Sequence, residues 1–106
     1  MKPVDHIPEI VRRIVQVSNP VKIVLFGSHA RNAAGPDSDL DLLVVLAHSD
    51  HPRQDSWRIR RALRRLLVSV DIVVATTEQV QRLAQTPGLI YRTALQEGTV
   101  LYERTG

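Results

Sequence analysis

VKIVLFGSHARNAAGPDSDLDLLVVL, residues 21–46, is the stretch whose reading decides the fold. Val21 to Phe26 is a near-continuous apolar run, as expected of a strand buried on both faces. It stops at Gly27-Ser28, where glycine permits a close approach or a backbone angle closed to other residues and Ser28 is suited to cap a short helical segment, His29 to Ala34. Gly35-Pro36-Asp37-Ser38 is a tight connection in which Asp37 and Ser38 suit local side-chain to backbone bonds. Asp39 to Ala47 is then a second strand that opens with two carboxylates at i and i+2. In a strand that spacing puts both side chains on one face, roughly 6–7 Å apart. The strand becomes wholly apolar from Leu42 to Leu46, so the acidic pair stands where a buried element emerges at a surface cleft. A carboxylate beside apolar packing is costly unless something compensates it, and a divalent cation would do so.

Outward from this stretch the pattern alternates helix and strand. Residues 6–18 carry Ile7, Ile10, Val11, Ile14 and Val15 at helical spacing, with Asn19-Pro20 as a stop. His48 to Gln54 reads as polar loop; its two histidines beside Asp50 lack a regular element to fix metal geometry. A helix is expected from Asp55 to about Leu67 on the stripe Ile59, Ala62, Leu63, Leu66 and Leu67. Its outer face carries Arg58, Arg60, Arg61, Arg64 and Arg65, either a solvated face or a surface for an acidic partner or a polyanion. Val68 to Ala75 is a third strand with one aspartate, Asp71, on the face of Val73 and Ala75. Asp71 is a surface residue or, if this strand neighbours the second, a third carboxylate in the same cleft. Thr76 and Gln79 match a capping box for a helix to about Leu83, Pro87 opens another to Glu97 before Gly98, and Val100 to Tyr102 is a short last strand.

Composition bounds the function. The 106 residues suffice for one domain, with residues 1–5 and 103–106 expected to fray. No cysteine is present, which removes disulfides, thiol catalysis and thiolate zinc sites. No apolar run approaches membrane-spanning length and no signal peptide is evident, so a cytoplasmic protein is the default expectation. The formal charge of +3 comes without a basic tail or interleaved aromatics, which argues against direct nucleic-acid binding.

Carboxylates around an oxygen-loving site suit Mg²⁺ or Mn²⁺. The backbone N–H groups of a Gly-Ser corner suit phosphate, and Arg31 lies close enough to compensate a phosphate or the carboxylates, unless it is a solvated or ion-paired arginine. The combination fits nucleotidyl transfer from a nucleoside triphosphate. Neither GxxxxGK[ST] nor GxGxxG occurs, which disfavours P-loop and dinucleotide folds.

The segment GSHARNAAGPDSDLDLLVV resembles the signature of the minimal nucleotidyltransferases of the DNA polymerase beta superfamily: GS, an arginine three residues on, S-D-x-D-x-x-V, and a carboxylate on a later strand. The matching positions are Gly27, Ser28, Arg31, Ser38, Asp39, Asp41 and, by its VDIVV context, Asp71. Where an arginine-glycine pair is usual, this chain has Arg31-Asn32. The resemblance implies an α/β fold with a mixed central sheet and flanking helices. It further implies Asp39, Asp41 and Asp71 as metal-binding and catalytic residues, and Gly27, Ser28, Arg31 and Ser38 at the nucleotide, ATP. Stand-alone members of this size resemble antitoxins that pair with a HEPN-domain ribonuclease toxin, several of which transfer AMP to a toxin tyrosine. The other readings are an antitoxin that masks its partner without catalysis, and nucleotidyl transfer to a small molecule or an RNA end.

Overall fold

A computed structural model describes residues 2–31, 35, 38–83, 94 and 96–105. After a 3₁₀ turn at Pro3–His6, the chain forms α1 (Ile7–Ser18), β1 (Lys22–Phe26), α2 (Gly27–Ala30), β2 (Leu40–Leu46), α3 (Pro52–Ala62), β3 (Val70–Thr76), α4 (Thr77–Leu83) and β4 (Thr99–Glu103). The strands make a sheet in the order β3-β2-β1-β4. β1 is antiparallel to β2 and β4, whereas β2 and β3 are parallel, so the sheet is mixed.

Two apolar layers cover the sheet. On one face Ile10 and Ile14 of α1 and Ile59 of α3, all fully buried, pack against Ile23, Leu40, Leu42, Val44 and Ile72. The other face carries Val24, Phe26, Leu43, Val45, Ala75 and Ala94, with Val80 of α4 against them. The buried runs of β1 and β2 thus reflect helices on both sides. Among the described residues no helix is long and apolar enough to cross a membrane.

The ends of the elements have physical causes. α1 stops at Asn19, which takes the left-handed conformation (φ 45°) and donates its N–H to Val15 O. On the outer face of α1, Arg12 and Arg13 bond Glu9 and hold its carboxyl down at about 2. α4 begins at the expected box: Thr76 N–H donates to Gln79 Oε1 (2.9 Å) and Gln79 N–H to Thr76 Oγ1 (3.2 Å). Thr76→Ala is therefore expected to lower stability by about 1 kcal/mol in urea unfolding, because it strands a helix donor.

Several expected boundaries move. α3 begins at Pro52, inside the expected loop, because proline suits the first helical position and Asp55 lies in the first turn, accepting from the Ser49 hydroxyl. It ends at Ala62 rather than Leu67. Arg13 of α1 reaches across to donate to Ala62 O and Arg64 O (3.2 Å each), satisfying carbonyls that further helix would have used, and Arg65 follows at φ 73°. The 3₁₀ turn takes up residues expected to fray at the N-terminus. At the other end Glu103 closes β4, pairing with Lys22 (3.0 Å), and Arg104 N–H donates to Val21 O. The helix expected from Pro87 lies mostly outside the described residues; Ala94, Gln96 and Glu97 are helical, and Gly98 N–H donates to Ala94 O. A Cβ on Gly98 would meet Ala94 O and Leu25 O, so only glycine lets the chain turn from there into β4.

Candidate active site

The sheet register builds the site. Phe26 of β1 is the antiparallel partner of Asp41 in β2, and Asp41 is the parallel partner of Asp71 in β3. Residues 30 apart in sequence thereby stand side by side at one end of the sheet. Alternation sets Asp41 on the face of Leu43 and Val45, and Asp71 on that of Val73 and Ala75, where the second apolar cluster lies. The acidic pair therefore caps the end of that layer.

Gly27 brings the corner to the acid. It has φ 74°, and a Cβ there would lie 3.2 Å from Asp41 Cγ and closer still to Oδ2. Backbone and carboxylate thus pack directly together, as only glycine permits. α2 starts at Gly27 itself, two residues earlier than expected, and its N-cap is Phe26 in extended conformation; Ser28 does not cap the helix. Of the helical segment expected to Ala34, residues 32–34 lie outside the described residues, as do Pro36 and Asp37 of the turn.

The remaining groups gather around Asp41. Asp39 is exposed and lies just before β2, so the i, i+2 relation holds in sequence but only Asp41 is in the strand. Ser38 acts as a turn residue: its Oγ accepts from Gly35 N–H (3.0 Å), its own N–H donates to Gly35 O, and its carbonyl lies 3.0 Å from His29 Nε2. Arg31 forms a long, half-exposed pair with Glu97 (3.7 Å). Asp41 has its carboxyl pushed up from the usual range, first by burial and then by the charges of Asp71 and Asp39, while His29 and Arg31 pull it back. Neither His29 nor Glu97 is singled out for the site by the sequence, and Gly98 is read there only as the stop of a helix. Only His29 carried any signal there, by its place between Gly27 and Arg31.

Among the described residues none of the ion pairs involves Asp39, Asp41 or Asp71, and the charge of Asp41 is offset only at longer range, by His29 and Arg31. Nor do three histidine or acidic side chains close into a ready-made metal cage there. That donor set still fits a hard cation such as Mg²⁺, which keeps several waters and typically takes one or two carboxylates plus substrate phosphate oxygens.

With this geometry in place, the comparisons give the class. Residues 4–101 match the nucleotidyltransferase domain family. The chain belongs to that family, and its fold and sequence place it among the nucleotidyltransferase enzymes. A protein of Sulfolobus solfataricus assigned as a nucleotidyltransferase is similar with a TM-score of 0.66 at 18% identity, over 96% of this chain and 84% of that one. A toxin–antitoxin structure with AMP-PNP is similar with a TM-score of 0.56 at 21% identity, over 92% of this chain and 73% of the other. The toxin–antitoxin MntA-HpeT, in a form with two aspartates changed to glutamate, gives 0.57 at 20% identity, over 93% and 74%. At these identities the likeness is one of fold. No curated protein matches the chain in sequence.

Proposed function

We propose that the chain is a metal-dependent antitoxin that transfers AMP from ATP to a tyrosine of a cognate HEPN-type toxin in the cytoplasm. The observation that carries the transferase part is the row Gly27, Asp41, Asp71: an open backbone corner in contact with one member of a carboxylate pair that makes no ion pair among the described residues. Asp39, Asp41 and Asp71 would hold Mg²⁺ or Mn²⁺, together with water and phosphate oxygens. When bound, the metal neutralises the triphosphate and lowers the pKa of the attacking hydroxyl. Gly27 and Ser28 offer backbone N–H groups to the phosphates, with Ser38 fixing the turn beside them. Arg31 is held loosely enough by Glu97 to turn toward phosphate. Asp71, exposed at the edge strand, takes the proton of the acceptor hydroxyl. The hydroxyl oxygen then bonds the α-phosphorus as the bond to the departing pyrophosphate breaks. The toxin–antitoxin pairing is supported by two similar folds found in such complexes, one of them with AMP-PNP.

The test is incubation with ATP labelled at the α-phosphate, Mg²⁺ and the protein encoded beside this one. Label on the partner, lost in Asp39→Asn/Asp41→Asn, is the expected result. A tight complex without label would replace this reading by an antitoxin that masks its partner, which the exposed position of Asp39 and the open donor set would suit. Label on a small molecule or an RNA end instead would keep the chemistry and change the acceptor.

A further inference from the structure

The C-terminal half of α3 carries a surface that the catalytic row does not use. Trp57, the chain's only tryptophan, is 59% exposed, and the Arg61 guanidinium lies over its ring, 5.2 Å from the centroid. Trp57, Arg60, Arg61 and Arg64 line a shallow cleft of about 200 Å³. Among the described residues Arg60, Arg61, Arg64 and Arg65 make no ion pair, so these like charges repel one another with nothing acidic between them. Leu67, in the connection that follows, is 94% exposed. An exposed tryptophan ringed by arginines has the composition of an interface anchor rather than of an idle surface.

The surface is also tied to the catalytic edge. Arg60 Nη2 donates to Ile72 O (3.0 Å), the carbonyl next to Asp71 on the outermost strand. Whatever binds α3 thereby lies at the edge strand that bears Asp71, on the sheet face opposite the one that Asp71 shares with Val73 and Ala75.

We propose that this face docks an acidic protein surface that carries an apolar pocket for Trp57, with its carboxylates against Arg61 and Arg64. A single-stranded nucleic acid fits less well. Stacking along a strand uses several aromatic faces, whereas among the described residues Arg61 already covers one face of Trp57, Phe26 is buried in the sheet and Tyr102 sits on β4 at the far edge. Use of this face to present a protein acceptor rests on the function proposed above; the docking itself does not.

Trp57 emission reads the test directly, without ATP or metal. The probes are an amphipathic Glu/Leu helical peptide of about 20 residues, some 30 Å long, polyglutamate of equal charge, and oligothymidylate of equal charge, each titrated at physiological salt. The amphipathic peptide is expected to shift Trp57 emission to the blue and saturate, with polyglutamate weaker and without the shift. Arg61→Glu/Arg64→Glu should weaken the peptide at least about 10-fold, since a close charge pair at an interface is worth 1.4 kcal/mol or more. The milder Arg61→Gln/Arg64→Gln should fall between, with circular dichroism and melting unchanged in both. Asp39→Asn/Asp41→Asn should leave the titration as it was, which separates a failure of docking from a failure of catalysis. Tighter binding of oligothymidylate, no blue shift with the peptide, or a shift indifferent to both arginine variants would each overturn the proposal.

Discussion

Asp41→Asn is expected to melt at a higher temperature than the parent chain without metal, and to lose nucleotidyl transfer by roughly a thousand-fold. Both effects come from one position. Burial and the neighbouring charges of Asp71 and Asp39 raise the Asp41 carboxyl above its usual range, so the folded chain holds that proton more firmly than the unfolded chain does. Stability therefore falls as pH rises from about 4 through the folded-state value, and the whole penalty is present above that value. Asparagine keeps the shape and removes the charge. The gain in melting temperature should grow as pH rises through the folded-state value and vanish below about pH 4; in a domain of this size about 1 kcal/mol moves the midpoint by roughly 4–8 °C. Glu9 titrates with the opposite sign, held at about 2 by Arg12 and Arg13, but equally in both proteins, so it cancels from the difference. Mg²⁺ should raise the melting temperature of the parent and not of the variant. A variant that melts lower at pH 7 would show that Asp41 is compensated by its surroundings.

Gly27→Ala should cost about 1–3 kcal/mol of stability and roughly a hundred-fold in transfer. A residue with a Cβ is strained at φ 74°, by about 1–2 kcal/mol, and the new methyl would press on the Asp41 carboxylate and displace it. The two contributions separate in a double-mutant cycle. In an Asp41→Ala background the methyl meets no carboxylate, so Gly27→Ala should cost only the backbone part. Equal costs in both backgrounds, measured by urea unfolding, would mean that the corner and the acid do not touch.

How far these features could be read in advance depended on how local their causes are. The Thr76/Gln79 box is a matter of three residues, and the apolar runs of β1 and β2 declare burial directly, so both were legible. The end of α3 was not, because the group that satisfies its carbonyls is Arg13, 49 residues away. Among the candidate site residues, Gly27, Asp41 and Asp71 stood out by spacing and context, yet their meeting is a property of sheet order and register. Periodicity gives Asp71 a face and no neighbour; the strand order here followed from resemblance. Arg31 and Ser38 show the converse, since residues picked out by a motif also serve a pair with Glu97 and a turn with Gly35.

The parallel pairing of β2 with β3 also sets when the site can exist. Parallel neighbours need a crossover, here residues 47–69 with α3 inside it, and that loop must close before Asp41 meets Asp71. The hairpin of β1 and β2 needs a shorter closure and can form without them. In a refolding chain, sheet signal should precede metal affinity, and catalysis should return last. A nascent chain that has not yet extended past residue 71 has its Gly27-Ser28 corner and its first two carboxylates but not the pairing of Asp41 with Asp71, so activity is expected to report completed folding rather than mere collapse.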